Sequence, residues 1–244
     1  SSLRTNFIQL LSYEEDLRAL ENAYLIQRAS WGKISIRDEV LQCLENNKPY
    51  HRPSVKGLPT FTILSRITRL LKAVRQDGLS RNLALFEMDE MILSNPGTSI
   101  AKAANKYSIL KEASKHIDDY DIDSDWSSSS FGISACPAER MLFYALCYRY
   151  QEYNDDECGW WDFRDFFDES TMETIQQRYK DEILDLQTKR VITYASRDGM
   201  FVKDRFKIED SVKEEILADC GGLHEDIPFN GLIKKETLEE KMLS

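Results

Sequence analysis

The sequence predicts a mainly α protein with small β-wings, in which tandem winged-helix-like modules are joined by a helical segment. Three observations carry that prediction. From Ala138 to about Asp219 the order is helix, short helix, long helix, β-hairpin and a last amphipathic helix, the order of a winged helix-turn-helix. Residues 1–46 repeat the second half of that order. Between the two lie apolar-striped stretches separated by Pro and Gly breaks.

Composition sets the bounds. At 244 residues and 42% hydrophobic, the chain can bury a sizeable core or two smaller ones. No apolar run approaches the roughly 20 residues of a membrane span, and the opening SSLRTNFIQLL lacks the pattern of a signal peptide. A soluble, cytoplasmic protein without membrane partners is expected. The chain begins without Met, so an origin inside a longer gene product is expected as well. Cys43, Cys136, Cys147, Cys158 and Cys220 are odd in number and widely spaced, which fits reduced structural thiols rather than a disulfide framework or metal knuckle. The net charge of −10 disfavours a chain that coats a polyanion. Residues 1–120 carry about +3 and residues 121–244 about −13, so the two halves differ in surface.

In residues 1–46, a partial winged-helix-like module, Leu17, Leu20 and Leu25-Ile26 match Ile183, Leu186 and Val191-Ile192 of the later module. After a shorter wing, Ile34, Ile36, Asp38, Val40 and Leu44 match Phe206, Ile208, Asp210, Val212 and Ile216. The first helix of this copy would lie before Ser1. Residues 47–117 form the helical segment. It opens on NKPYHRPSVKGLPT, whose three prolines and glycine exclude a regular element. A helix from about Phe61 to Gln76 places Ile63, Ile67, Leu70, Leu71 and Val74 inward and a cationic stripe, Arg66, Arg69, Lys72 and Arg75, outward. A second, from about Leu79 to Leu93, buries Met88 and Met91 and stops at Asn95-Pro96-Gly97. A third is expected from Thr98 to about His116.

Residues 118–134, DDYDIDSDWSSSSFGIS, read as a flexible acidic loop, and the Gly and distal Glu of a Ca²⁺ loop are missing from it. Residues 135–222 form the winged-helix module. Pro137 suits the first turn of a helix that is apolar nearly all round. Trp160, Trp161, Phe163, Phe166 and Phe167 supply the packing face of a short second helix. Ser170 and Glu173 make a capping-box pattern, and Met172, Ile175, Tyr179, Ile183 and Leu186 point inward from a long third helix. The wing turns at Asp198-Gly199. Residues 223–244 read as a linker toward a further C-terminal domain.

A DNA-reading winged helix needs cations on its third helix and wing. Arg178, Lys189, Arg197, Lys203 and Arg205 are the candidates here, with the stripe from Arg66 to Arg75 as a second contact surface for nucleic acid or a partner. Twenty acids against twelve bases leave residues 138–220 at about −8, so protein docking is the expected role and duplex DNA binding the alternative. No catalytic, cofactor-binding or metal-ligating set is expected. Gly32-Lys33 lacks the earlier glycine of a phosphate loop, G-x-S-x-G and H-E-x-x-H are missing, and His51, His116 and His224 are scattered.

AERMLFYALCYRYQ, the unit ending FKIEDSVKEEIL, ISIRDEVLQCLENNKPY with the downstream helix pair closing at SNP, and the tail DIPFNGLIKKETLEEKMLS together resemble the region preceding the ATPase core in a group of large bacterial AAA-family ATPases. The resemblance implies a non-catalytic accessory region that recruits a substrate or couples it to the motor. It carries no catalytic residue onto this chain; ATP and Mg²⁺ would belong to an ATPase domain beyond Ser244. A protein partner or the chain's own ATPase domain is the expected contact, and no small-molecule substrate is expected. The rival reading is a winged-helix DNA-binding regulator or replication-type factor.

Overall fold

A computed structural model describes residues 13–23, 25–28, 34–52, 54–76, 78–112, 120, 122–123, 134–153, 157–197 and 200–220; the side chains of 14, 15, 18, 22, 28, 38, 39, 196, 197 and 200–203 are not described. The described residues are mainly helical, with two small sheets.

The first unit is α1 (Glu14–Asn22), β1 (Ile26–Arg28), β2 (Ile34–Ile36) and α2 (Asp38–Glu45). Its strands pair antiparallel, with Ile26 opposite Ile36. The helical segment follows as α3 (Thr60–Gln76), α4 (Arg81–Leu93) and α5 (Ser99–Lys106). Ser80 caps α4 by accepting from the Leu83 N–H, and Thr98 caps α5 by accepting from that of Ala101. Then come α6 (Pro137–Tyr153), β3 (Cys158–Gly159), a 3₁₀ turn (Trp160–Phe163), α7 (Glu169–Lys180), α8 (Asp185–Thr188), β4 (Ile192–Arg197), β5 (Met200–Ile208) and α9 (Asp210–Leu217). The second sheet has the order β3-β5-β4, all antiparallel.

One hydrophobic cluster runs from Ile63 to Ile216, so the helical segment and the described elements from α6 to α9 share a core. α6 is its centre, with every residue from Pro137 to Tyr148 buried. An all-round apolar helix can only be satisfied with neighbours on all sides, and α3, α4, α7 and α8 supply them. The stretch expected to be a solvated acidic loop contributes to this core. Tyr120 and Ile122 are buried, Tyr120 packs edge-on against Phe86 at 5.4 Å, and Asp123 pairs with Arg81 at 2.7 Å. Most of that stretch, and residues 223–244, lie outside the described residues.

The internal match extends to the backbone. Ile26↔Ile36, Gln27↔Ser35 and Arg28↔Ile34 in the first ladder stand where Ile192↔Ile208, Thr193↔Lys207 and Tyr194↔Phe206 stand in the second. The Arg37 N–H donates to the Leu25 carbonyl at 3.1 Å, as the Glu209 N–H does to that of Val191 at 2.9 Å. α2 and α9 are eight residues each and start at matched aspartates.

Several local expectations are corrected. α7 starts one residue before Ser170, because Asp168 is the cap and accepts from the Thr171 N–H at 2.6 Å. The expected long third helix is two helices, with Glu182 at φ 58° between them, and this break leaves Ile183 half exposed rather than inward. α5 ends at Lys106, ten residues short of the expected stop, with Ser108 at φ 50°. Of the five aromatics expected to pack, Trp161 points out, 74% exposed.

Candidate docking surface

The candidate cations divide by where the fold puts them. Lys72 meets Glu152 at 2.7 Å, and Arg75 meets Asp165 at 2.9 Å and the Tyr148 and Tyr153 hydroxyls at 3.2 and 3.4 Å. These two stripe residues therefore tie α3 to α6 and to the segment before α7. Arg66 donates to the Ser54 carbonyl at 3.3 Å, while Arg69 is exposed. In the later module, Arg178 donates to the Ile183 carbonyl at 3.3 Å across the α7–α8 break. Lys189 holds Asp185 at 2.9 Å and the Ser108 carbonyl at 3.2 Å. Arg205 lies 3.8 Å from Glu157. The side chains of Arg197 and Lys203, and the Asp198-Gly199 turn, lie outside the described residues.

The short α8 is the second part of the stretch expected as one long third helix, and an acid holds its start. Glu139 of α6 is buried and accepts the Asp185 and Leu186 N–H groups at 3.2 and 3.0 Å. These are orphan donors of the α8 N-terminus, so the carboxylate sits where the helix needs an acceptor. Burial pushes the Glu139 carboxyl above its usual range, and those two backbone donors oppose the push. A second buried acid, Asp89 of α4, accepts from Arg140 Nε at 3.0 Å and from the Tyr144 hydroxyl at 2.8 Å. Arg140 also donates to the Ala135 carbonyl at 2.6 Å and stacks over Tyr120. This cluster is fully engaged within the chain and locks α4 to α6.

Among the described residues, two groups of exposed apolar side chains stand out. Trp161 stands out beneath the Arg164 guanidinium at 4.3 Å, and half-exposed Tyr153 lies under that of Arg149 at 4.6 Å. Trp, Tyr and Arg in this combination are the residues that anchor protein interfaces. The larger feature is on the first unit, where Tyr13, Leu20, Ile36, Leu41 and Leu44 are all exposed. Ile36 is 43% and Leu44 63% exposed, whereas their counterparts Ile208 and Ile216 are 3% and 4%. In the second copy Ile208 and Ile216 belong to the main core, and α9 packs against α5. In the first copy the described residues offer no such cover.

The sequence indicated Leu20, Ile36 and Leu44 only as repeat matches, and it did not single out Tyr13 or Leu41. Their exposure was not legible, because it follows from what the rest of the fold fails to place over them. No protein family, curated protein or solved structure matches the chain.

Proposed function

We propose that this chain is a non-catalytic docking region, built of tandem winged-helix-like units, that recruits or positions a protein for an AAA-type ATPase core. The observation that carries the docking reading is the set of exposed apolar side chains on the first unit, where Ile36 and Leu44 stand open while their counterparts Ile208 and Ile216 are buried in the main core. Covering one such aliphatic side chain contributes roughly 1.5–3 kcal/mol, enough for a few residues to anchor a partner. The winged-helix-like reading is supported by the order α6, β3, α7, α8, β4, β5 and by β5 lying at the centre of its sheet. The ATPase context rests on the resemblance of the sequence.

The alternative, a DNA-binding regulator, needs a recognition helix with free cations. α8 is four residues long, and Arg178 and Lys189 beside it are engaged with the chain's own backbone and Asp185. Fluorescence anisotropy with a labelled 20-base-pair duplex at 50 mM salt decides between the classes. The expected Kd is weaker than about 10 μM, as for weak nonspecific contact. Submicromolar, steeply salt-dependent affinity would favour the regulator. For the ATPase context, the coding sequence beyond Ser244 is expected to contain a phosphate-loop motif, and a stop codon there would overturn it.

A further inference from the structure

β5 is paired on both edges, by β4 on one side and β3 on the other. Its counterpart β2 is paired on one edge among the described residues, by β1. Along an antiparallel ladder the N–H and C=O groups of successive residues point to alternate edges. Because the Glu209 N–H donates to the Val191 carbonyl, Phe206 and Ile208 turn their backbone groups away from β4, and there Phe206 meets Cys158 of β3. Because the Arg37 N–H donates to the Leu25 carbonyl, Ile34 and Ile36 turn theirs away from β1 in the same way. An open strand edge of this kind is a template for another chain.

The second copy also displays the side chains that such a strand carries. Cys158, directly opposite Phe206, is 1% exposed. Past Gly159 the chain turns, bringing the Trp160 ring to 4.5 Å from that of Phe206 and stacking Phe163 on it at 5.6 Å. In the first unit the counterparts of Phe206 and Ile208 are Ile34, half-buried, and Ile36, exposed. The first unit thus has both parts of the seat, a backbone edge and an apolar surface beside it.

We infer that the first unit takes up an extended segment of a protein partner as a third strand on the open edge of β2. The segment has the pattern of β3: an apolar residue opposite Ile34, a small residue, then an aromatic that folds back over Ile34 and Ile36. This is strand addition, in which main-chain hydrogen bonds give affinity and side-chain seats give specificity. The inference rests on the docking reading and names its mode.

The test is ¹H–¹⁵N correlation NMR on the 244-residue chain, following the Ile34 and Ile36 backbone amides. The probe is a peptide with the sequence of residues 156–164 carrying Cys158→Ser. One form is N-methylated at the position of residue 158, whose N–H would face β2. Another is N-methylated at that of Gly159, whose N–H would face away. The parent peptide is expected to shift both isoleucine amides and saturate with a Kd below about 1 mM, weak because a free segment is ordered only on binding. Methylation at position 158 is expected to weaken it about tenfold or more, since it removes an edge donor, and methylation at 159 by less than about twofold. Shifts at Leu41 and Leu44 with equal affinity for the two methylated forms would overturn strand addition while leaving the docking reading in place. No shift anywhere in the first unit above about 1 mM peptide would overturn strand addition and count against docking as well. Ile34 and Ile36 amides already protected from exchange in the free chain would overturn it by giving the edge to the chain's own residues. Shifts that follow protein concentration without peptide would overturn it by giving the edge to a second copy.

Discussion

Asn47, Ser108, Glu182 and Arg190 have φ between 50° and 58°, and each follows the end of a helix. In each case the next residue's N–H reaches back five positions: Lys48 to Cys43, Ile109 to Ala104, Ile183 to Arg178 and Val191 to Leu186, at 2.7–2.9 Å. This is the left-handed helix stop usually built on glycine, made here by residues that carry a Cβ at a cost of roughly 1 kcal/mol each. Ser108→Gly should therefore raise unfolding stability by up to about 0.5 kcal/mol, the relief of the left-handed strain less the extra freedom glycine gives the unfolded chain. Urea unfolding followed by Trp fluorescence measures it, and a loss of stability would contradict the account. The same residues explain what was hidden in the sequence. Gly and Pro mark the stops after Gln76 and Leu93, and these were legible; the stops after Lys106 and Lys180 bear no such mark, so the pattern ran on to His116 and through Ile183.

At the scale of elements, apolar periodicity placed α3, α4 and α6 to within a residue or two, because each buries a continuous stripe or its whole surface. The contact of α3, α6, β5 and α9 around Leu64, Gln151 and Ile208 was not legible, since four elements meet there and no local motif joins them. Nor was the link between α9 and the helical segment. Asp219, just past α9, accepts from Ser99 Oγ at 2.5 Å, from the Ser99 N–H at 2.8 Å and from Thr60 Oγ1 at 2.8 Å. One carboxylate thus joins the segment just past α9 to the start of α5 and the start of α3. Burial pushes its pKa up, but the Ser99 and Thr60 donors outweigh this and hold it below the ordinary 3.8. A depressed carboxyl pKa stabilises the fold above the unfolded value and loses that contribution as pH falls through the folded one. Asp219→Asn should accordingly cost about 1–2 kcal/mol at pH 7, and the gap between variant and wild type should shrink below about pH 4. Thermal melts at pH 7, 5 and 3 give the comparison; a gap that widens on acidification would rule the tie out.

On the scale of the whole molecule, the opposite charges of the two halves serve partly as internal complementarity. Lys72–Glu152, Arg75–Asp165, Arg81–Asp123 and Lys106–Glu215 all join a cation before residue 110 to an acid after residue 120. Each partly exposed pair contributes little alone, yet together they orient α3, α4 and α5 on the later elements over a shared core. The first unit stands apart from that core: Ile26 and Val40 are buried outside the main cluster, and Arg37 joins the unit to Glu87 of α4 at 2.5 Å. With few buried apolar groups it should open at much lower free energy than the rest. The internal repeat supplies a matched pair of probes for this, since the Arg37 and Glu209 N–H groups make equivalent bonds in the two copies. Native-state hydrogen exchange should show Glu209 protected to near the global unfolding limit and Arg37 exchanging at least a hundredfold faster. Equal protection would mean that the first unit is held as firmly as the core, and that its exposed Ile36 and Leu44 have no need of a partner for stability. Faster exchange at Arg37, slowed when a partner is added, would tie the docking face to the one part of the described fold that lacks its cover.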